Sequence, residues 1–153
     1  MPKQLILLTG IPATGKTTIG NFLRDNHGFH HIDFEDGSSR NQFVLDPEIF
    51  LSSHAEKDKL VISWGFCPDE ADIPWVLYLK TKGFKLFWLE GDHLVTIRKY
   101  IERGKGTNLD AYYYQMYRIL TSRVVEQISP NIIDTFNGAE FRKLSDIVDE
   151  ILK

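Results

Sequence analysis

A short run near the start of the chain, Gly10-Ile11-Pro12-Ala13-Thr14-Gly15-Lys16-Thr17, fits the pattern G-x-x-x-x-G-K-[ST]. The pattern is restrictive because it calls for a strand, a tight glycine-bearing loop and a helix in that order. The flanks comply. Leu5-Ile6-Leu7-Leu8 reads as a buried strand, and Thr17 to His27 carries Ile19, Phe22 and Leu23 on one helical face. Glycines let the backbone wrap an anion with successive N–H groups pointing inward, and the positive end of the helix adds to that field. Gly10, Ala13, Thr14, Gly15, Lys16, Thr17 and Thr18 are therefore expected to hold the polyphosphate of a nucleoside triphosphate. Lys16 would reach the β- and γ-phosphates, and the Thr17 hydroxyl would ligate Mg2+.

The rest of the chain alternates short apolar runs with helical segments. Strands are expected at 4–9, 29–33, 60–63, 84–89 and 131–134. Asp46-Pro47 opens a helix to about Lys57, and another covers 71–82 with a restart or kink at Pro74. Asp92 caps a helix with Leu94, Ile97 and Ile101 at helical spacing, ending at Gly104. Asn108 opens a long one through Ile128, and a last helix runs over 139–152. Such alternation implies an α/β fold with a parallel sheet covered on both faces. No repeat or linker divides it, so residues 1–153 are expected to form one domain, with a glycine-hinged lid over roughly 98–110 around Gly104-Lys105-Gly106.

Composition narrows the function classes. Eighteen basic against 21 acidic residues give a formal charge of −3, which argues against a dedicated nucleic-acid grip. No stretch approaches a membrane span, and the apolar run before the loop is too short for a signal segment. Cys67 is the only cysteine, so an internal disulfide is excluded and a reducing, cytoplasmic location is expected.

Ligands of an open parallel sheet sit beyond the carboxyl ends of its strands. Behind the second strand come Asp33, Glu35 and Asp36, with Arg40 close by. Asp33, on a strand taken to neighbour the first, would hold a water of the Mg2+ shell, because Mg2+ takes few protein carboxylates. Glu35 or Asp36 would orient an acceptor hydroxyl or take its proton; a solvated acidic turn is the alternative. The third strand ends in Ser63 where many nucleotide hydrolases carry an acid. Arg103, nearest the glycine hinge, would close over the transferred group, with Lys99 and Arg98 behind it and Arg118 and Arg123 on the next helix. Trp64 and Phe66 either wall an acceptor or close the core. The tyrosines at 112–114 and 117 and the pair His30-His31 read as packing.

The chain resembles the small P-loop kinase group, which includes shikimate, gluconate and nucleoside monophosphate kinases. It is most similar to the single-domain, predicted AAA-type ATP-binding kinases. The likeness is carried by the loop with its strand, by Gly28 to Glu35, by Val61-Ile62-Ser63-Trp64-Gly65-Phe66, and by Phe87 to Asp92 leading to Arg98 and Arg103. It extends to Ile132–Gly138, which resembles the family's adenine-side loop. The resemblance implies a three-layer sandwich with a five-stranded parallel sheet and a short lid. It also implies ATP and Mg2+ as cofactors, Asp33 on the metal side, Glu35 at the acceptor hydroxyl and Asn137 beside the base. Trp64-Gly65-Phe66 replaces the triple glycine of shikimate kinases, and the doubled lid arginines of adenylate kinases are missing. Both departures point away from shikimate and from standard nucleoside monophosphates.

The expectation is a monomeric or homodimeric kinase moving the γ-phosphoryl of ATP to a hydroxyl of a small molecule. Its catalytic set is Lys16, Asp33, Glu35, Asp36 and Arg103. The alternatives are a kinase for nucleosides or nucleic-acid ends, and a nucleotide-binding switch without turnover. The chain carries neither N-K-x-D nor a D-x-x-G after the third strand, as switch GTPases would.

Overall fold

The computed structural model describes residues 2–65, 71–104 and 108–153. Five strands, β1 (Gln4–Gly10), β2 (His30–Asp33), β3 (Lys59–Ser63), β4 (Lys85–Glu90) and β5 (Asn131–Asp134), form one sheet in the order β2-β3-β1-β4-β5. Every pair is parallel, with Leu7 opposite Ile62 on one side and Leu86 on the other. The expected five-stranded parallel sheet is therefore present. One detail differs: β3, not β2, lies beside β1, so Asp33 reaches the loop from two strands away.

The period-2 alternation of the strands divides the core into two layers. Leu7, Ile32, Ile62, Leu86 and Trp88 face one side, against α2 (Ser38–Leu45), α3 (Pro47–Ser52), α4 (Asp72–Thr81), α6 (Leu109–Ser122) and α7 (Val124–Ile128). Ile6, Leu8, Val61, Phe87, Leu89 and Ile133 face the other, against α1 (Lys16–His27) and α8 (Leu144–Leu152). Helix α5 (His93–Glu102) leads from β4 toward the expected lid, of which residues 105–107 lie outside the described residues.

Four helical boundaries depart from expectation, each for a local reason. Pro74 is the third residue of α4, in the first turn where its missing N–H costs nothing, and the helix runs through it. The helix opened by Asp46, whose carboxylate accepts from the Ile49 N–H at 3.1 Å, stops at Ser52. Ser52 and Ser53 turn their hydroxyls back to the carbonyls of Ile49 and Phe50 there. The helix from Asn108 breaks at Arg123, which is left-handed at φ 55°. Its buried stripe of Tyr112, Met116 and Ile119 would next place Arg123 in the core; the break turns Arg123 outward and seats Val124 and Ile128 instead. Finally, the helix expected from 139 begins only at Leu144, because Asn137-Gly138 turns a hairpin between β6 (Phe136–Asn137) and β7 (Glu140–Phe141), with Gly138 at φ 64°. Ser38–Leu45 was not expected to be helical at all; Phe43 is its only fully buried side chain.

Candidate active site

The chain leaves β1 at Gly10 and enters α1 at Lys16, and the turn between them is tight. Gly10 has φ 139°, and a Cβ there would lie 2.3 Å from the Leu89 carbonyl oxygen, so only glycine lets the loop pass β4. Ala13 and Gly15 are both left-handed, at φ 63° and 92°. Two buried hydroxyls fix this shape: Thr14 donates to the Ile11 carbonyl and Thr135, just past β5, donates to the Thr14 carbonyl, each at 2.9 Å. A peptide plane carries its C=O and the next N–H in opposite directions. Pinning the Thr14 oxygen against β5 therefore commits the Gly15 N–H to the other side of that plane.

Lys16 is only 6% exposed and donates to the carbonyls of Ile11 at 2.8 Å and Gly10 at 3.4 Å. Burial lowers its pKa to about 8, with Arg103 pushing in the same direction and the Glu35 and Asp33 carboxylates opposing. The residues expected to share its site thus act on it electrostatically. The Thr17 hydroxyl donates to Asp33 Oδ2 at 3.1 Å, and Asp33 Oδ1 accepts from the Glu35 N–H at 3.0 Å.

The three acids part ways here. Asp33 bonds the loop-end threonine. Glu35 faces Lys16 across Gly65: a Cβ on Gly65 would stand 2.4 Å from Glu35 Oε1 and 3.2 Å from Lys16 Cε. Asp36 is exposed and accepts from the Ser39 N–H at 3.3 Å, at the start of α2.

Past α5, the Arg103 guanidinium lies 6.0 Å from the Tyr100 ring centroid. It lines a cavity of about 320 Å³ with Ala13, Gly15, Thr18, Lys99, Phe136 and Phe141. Lys99 is paired with Glu102 at 3.5 Å. Phe136 and Phe141 meet edge to face at 5.4 Å, and a Cβ on Gly15 would fall 2.7 Å from the Phe141 ring. Asn137 lines the adjoining outer cleft with Glu140 and Arg142. Arg98 is exposed on α5; Arg118 lines a groove between α4 and α6; Arg123 shares a cavity with Ile11 of the loop.

Trp64 is a core residue, 2% exposed among Phe34 and Phe43, with the Arg40 guanidinium 5.8 Å from its ring centroid. Arg40 is ion-paired with buried Asp72 at 2.9 Å. Phe66 and Cys67 lie outside the described residues. Ser63 and His31 bond each other at 2.8 Å, and His31 also meets Asn21 at 2.9 Å. Burial lowers the His31 pKa, and α1 approaches it so closely that a Cβ on Gly20 would lie 2.3 Å from the ring. Tyr112 is buried against Thr96, while Tyr113, Tyr114 and Tyr117 are exposed.

Gly65 and Thr135 entered the expectations only as members of the runs 61–66 and 132–138, and no individual role was expected of them, of Phe136 or of Phe141. Asn137-Gly138 flanked by phenylalanines was the available signal for the last two. Nothing local in the sequence marks the bond that Thr135 makes, because its partner Thr14 follows β1, two strands away.

Among the described residues no group of three or more His, Cys, Asp or Glu could cage a metal. The donor set that is present, one hydroxyl and one carboxylate in contact, suits Mg2+ brought in with substrate phosphates and keeping most of its waters.

A glycine loop between β1 and α1, on a parallel sheet of this strand order, gives the fold of the small P-loop kinases. Solved structures with this fold include the shikimate kinase of Acinetobacter baumannii in complex with shikimate, 15% identical, covering 98% of this chain and 91% of its own, with a TM-score of 0.64. A gluconokinase from Sinorhizobium meliloti 1021 is also 15% identical, covering 97% and 89%, at 0.59. The Deinococcus radiodurans tunicamycin resistance protein is 17% identical, covering 97% and 95%, at 0.63. No family model matches the chain, and no curated protein matches it. No helix among the described residues is long and apolar enough to cross a membrane.

Proposed function

We propose that this chain is a kinase that transfers the γ-phosphoryl group of ATP to a hydroxyl of a small-molecule acceptor. The observation that carries the reading is the buried Lys16 ammonium at the loop, opposed by the Asp33 and Glu35 carboxylates and backed by the Thr17–Asp33 hydrogen bond. A lysine held this dry gains most when a polyphosphate joins it. The loop amides and Lys16 would bind the triphosphate, and the base would lie in the cavity between Arg103 and the Phe136–Phe141 pair. Mg2+ held by Thr17, and through water by Asp33, would neutralise phosphate charge.

Glu35, across Gly65 from Lys16, would orient the acceptor hydroxyl and take its proton; Asp36 is occupied at α2 and is the weaker candidate. Arg103 would stabilise charge spread over the transferring oxygens. Catalysis of this kind is positioning and charge stabilisation. Trp64, buried in the core, offers no wall to an acceptor.

The test is ADP release from ATP across a library of hydroxyl acceptors. Slow release alone and faster release with one acceptor class supports the kinase. Nucleotide binding with no acceptor dependence would make the chain a binding module instead.

A further inference from the structure

Beside the phosphate loop, and sharing Ile11 with it, opens a cavity of about 370 Å³. Its walls are apolar: Met116, Ile119 and Leu120 from α6 and Val125 from α7. Four polar groups stand around them, Glu90 and His93 at the β4–α5 junction and Arg123 and Glu126 at the start of α7.

The charges decide what this space suits. Arg123 is the only fixed cation among the described residues lining it, and its guanidinium is ion-paired to Glu126 at 2.5 Å. That pair is neutral as a unit. Glu90 is then left as the net charge. Its carboxylate accepts from the Trp88 indole N–H at 3.1 Å and the Gly91 N–H at 3.3 Å, so it is held in one place while its side chain stays 37% exposed. His93 Nε2 stands 3.5 Å away. An anionic acceptor would meet this carboxylate with no unpaired arginine to offset it. A neutral or cationic donor would be attracted. Leu120, on the rim, is 68% exposed, and an apolar body seated in the cavity would cover it. The volume lies at the small end of ligand pockets and fits one or two rings.

We infer that the acceptor is an amino alcohol with an aromatic or alicyclic body, its rings against Met116, Ile119 and Leu120 and its ammonium at Glu90. This rests on the kinase reading above and adds to it the class of acceptor. In the transfer, the acceptor hydroxyl oxygen forms a bond to the γ-phosphorus. The bond from that phosphorus to the β,γ-bridging oxygen breaks, and ADP leaves with the bridging oxygen and its electron pair. The hydroxyl proton is released to water. The products are the phosphate ester, ADP and one proton.

The test uses the full chain with MgATP and three sets of probes: phenyl- and cyclohexyl-substituted amino alcohols, the same alcohols without the amine, and the sugar acids gluconate and shikimate. ADP release is followed by coupled assay and the ester by mass spectrometry. The amino alcohols are expected to turn over best and the sugar acids least. Glu90→Gln should raise KM for the amino alcohols roughly tenfold to a hundredfold, as loss of a charge-assisted hydrogen bond does. It should leave KM for the amine-free alcohols and for ATP within about twofold. Leu120→Ser, a surface change that spares the fold, should weaken both apolar sets alike. Turnover of the sugar acids in preference to the apolar alcohols overturns the acceptor assignment. So does ATP binding with no apolar alcohol turned over, and in both cases the nucleotide site stands. Absence of ATP binding by calorimetry refutes the kinase reading itself.

Discussion

Replacing Lys16 with methionine should make the empty protein more stable while destroying its activity. The methionine chain fills nearly the same volume and carries no charge. Lowering the lysine pKa from 10.5 to about 8 corresponds to roughly 3 kcal/mol, at 1.36 kcal/mol per pH unit, lost from the folded state whenever the amine is protonated. Little offsets that gain. The Ile11 carbonyl keeps the Thr14 hydroxyl after the lysine is gone, and the bond to the Gly10 carbonyl is long at 3.4 Å. Between pH 8 and 10.5 the unfolded chain binds the proton more tightly than the folded one, so wild-type stability rises with pH relative to the variant. Denaturant melts should therefore show Lys16→Met ahead by about 3 kcal/mol below pH 8, or roughly 6–12 °C in Tm for a domain of this size. The gap should close as pH approaches 10.5. A variant less stable than wild type at pH 7, or a gap indifferent to pH, would refute the picture of a strained, dry ammonium.

Other substitutions separate the roles of the neighbours. Asp33→Asn should lower kcat by about tenfold or more while ATP affinity stays within a few-fold, and added Mg2+ should restore part of the loss; equal turnover at every Mg2+ concentration would remove Asp33 from the metal side. Glu35→Gln should lower kcat by about a hundredfold or more with the KM for ATP unchanged, read from steady-state kinetics with a cognate acceptor. Gly65→Ala should lower turnover through the 2.4 Å clash with Glu35 Oε1, while the thermal midpoint stays near wild type because that side chain is exposed and can swing away. Thr135→Val should orphan the buried Thr14 carbonyl at a cost of about 1–3 kcal/mol and raise the KM for ATP, whereas Thr135→Ser should restore both.

β1, β3 and β4 were legible as apolar runs at the length a buried parallel strand needs, β2 and β5 by their place in the strand-helix alternation, and the observed ends of all five fall within a residue of expectation. The phosphate loop was legible because its spacing is local. What escaped depends on partners far away in the chain. Arg123 breaks a helix without glycine or proline nearby; the cause is which face of α6 meets the core. The contact of Thr135 with Thr14 links the ends of β5 and β1, two strands apart, and the approach of Gly65 to Glu35 joins two strand ends. The acids at 33, 35 and 36 look alike in sequence and separate only when the turn after β2 aims them at Thr17, Gly65 and Ser39. Trp64 could line a pocket or fill one, and only the packing of Phe34 and Phe43 around it decides.

Calorimetric titration with MgATP at pH 8, in buffers of differing ionisation heat, probes the grip of the loop most directly. Lys16 is about half protonated there and should be fully charged against a triphosphate, so binding should take up about half a proton and raise the melting temperature. Lys16→Met should abolish that uptake. Absence of heat and of thermal protection, or binding without proton uptake, would contradict the account.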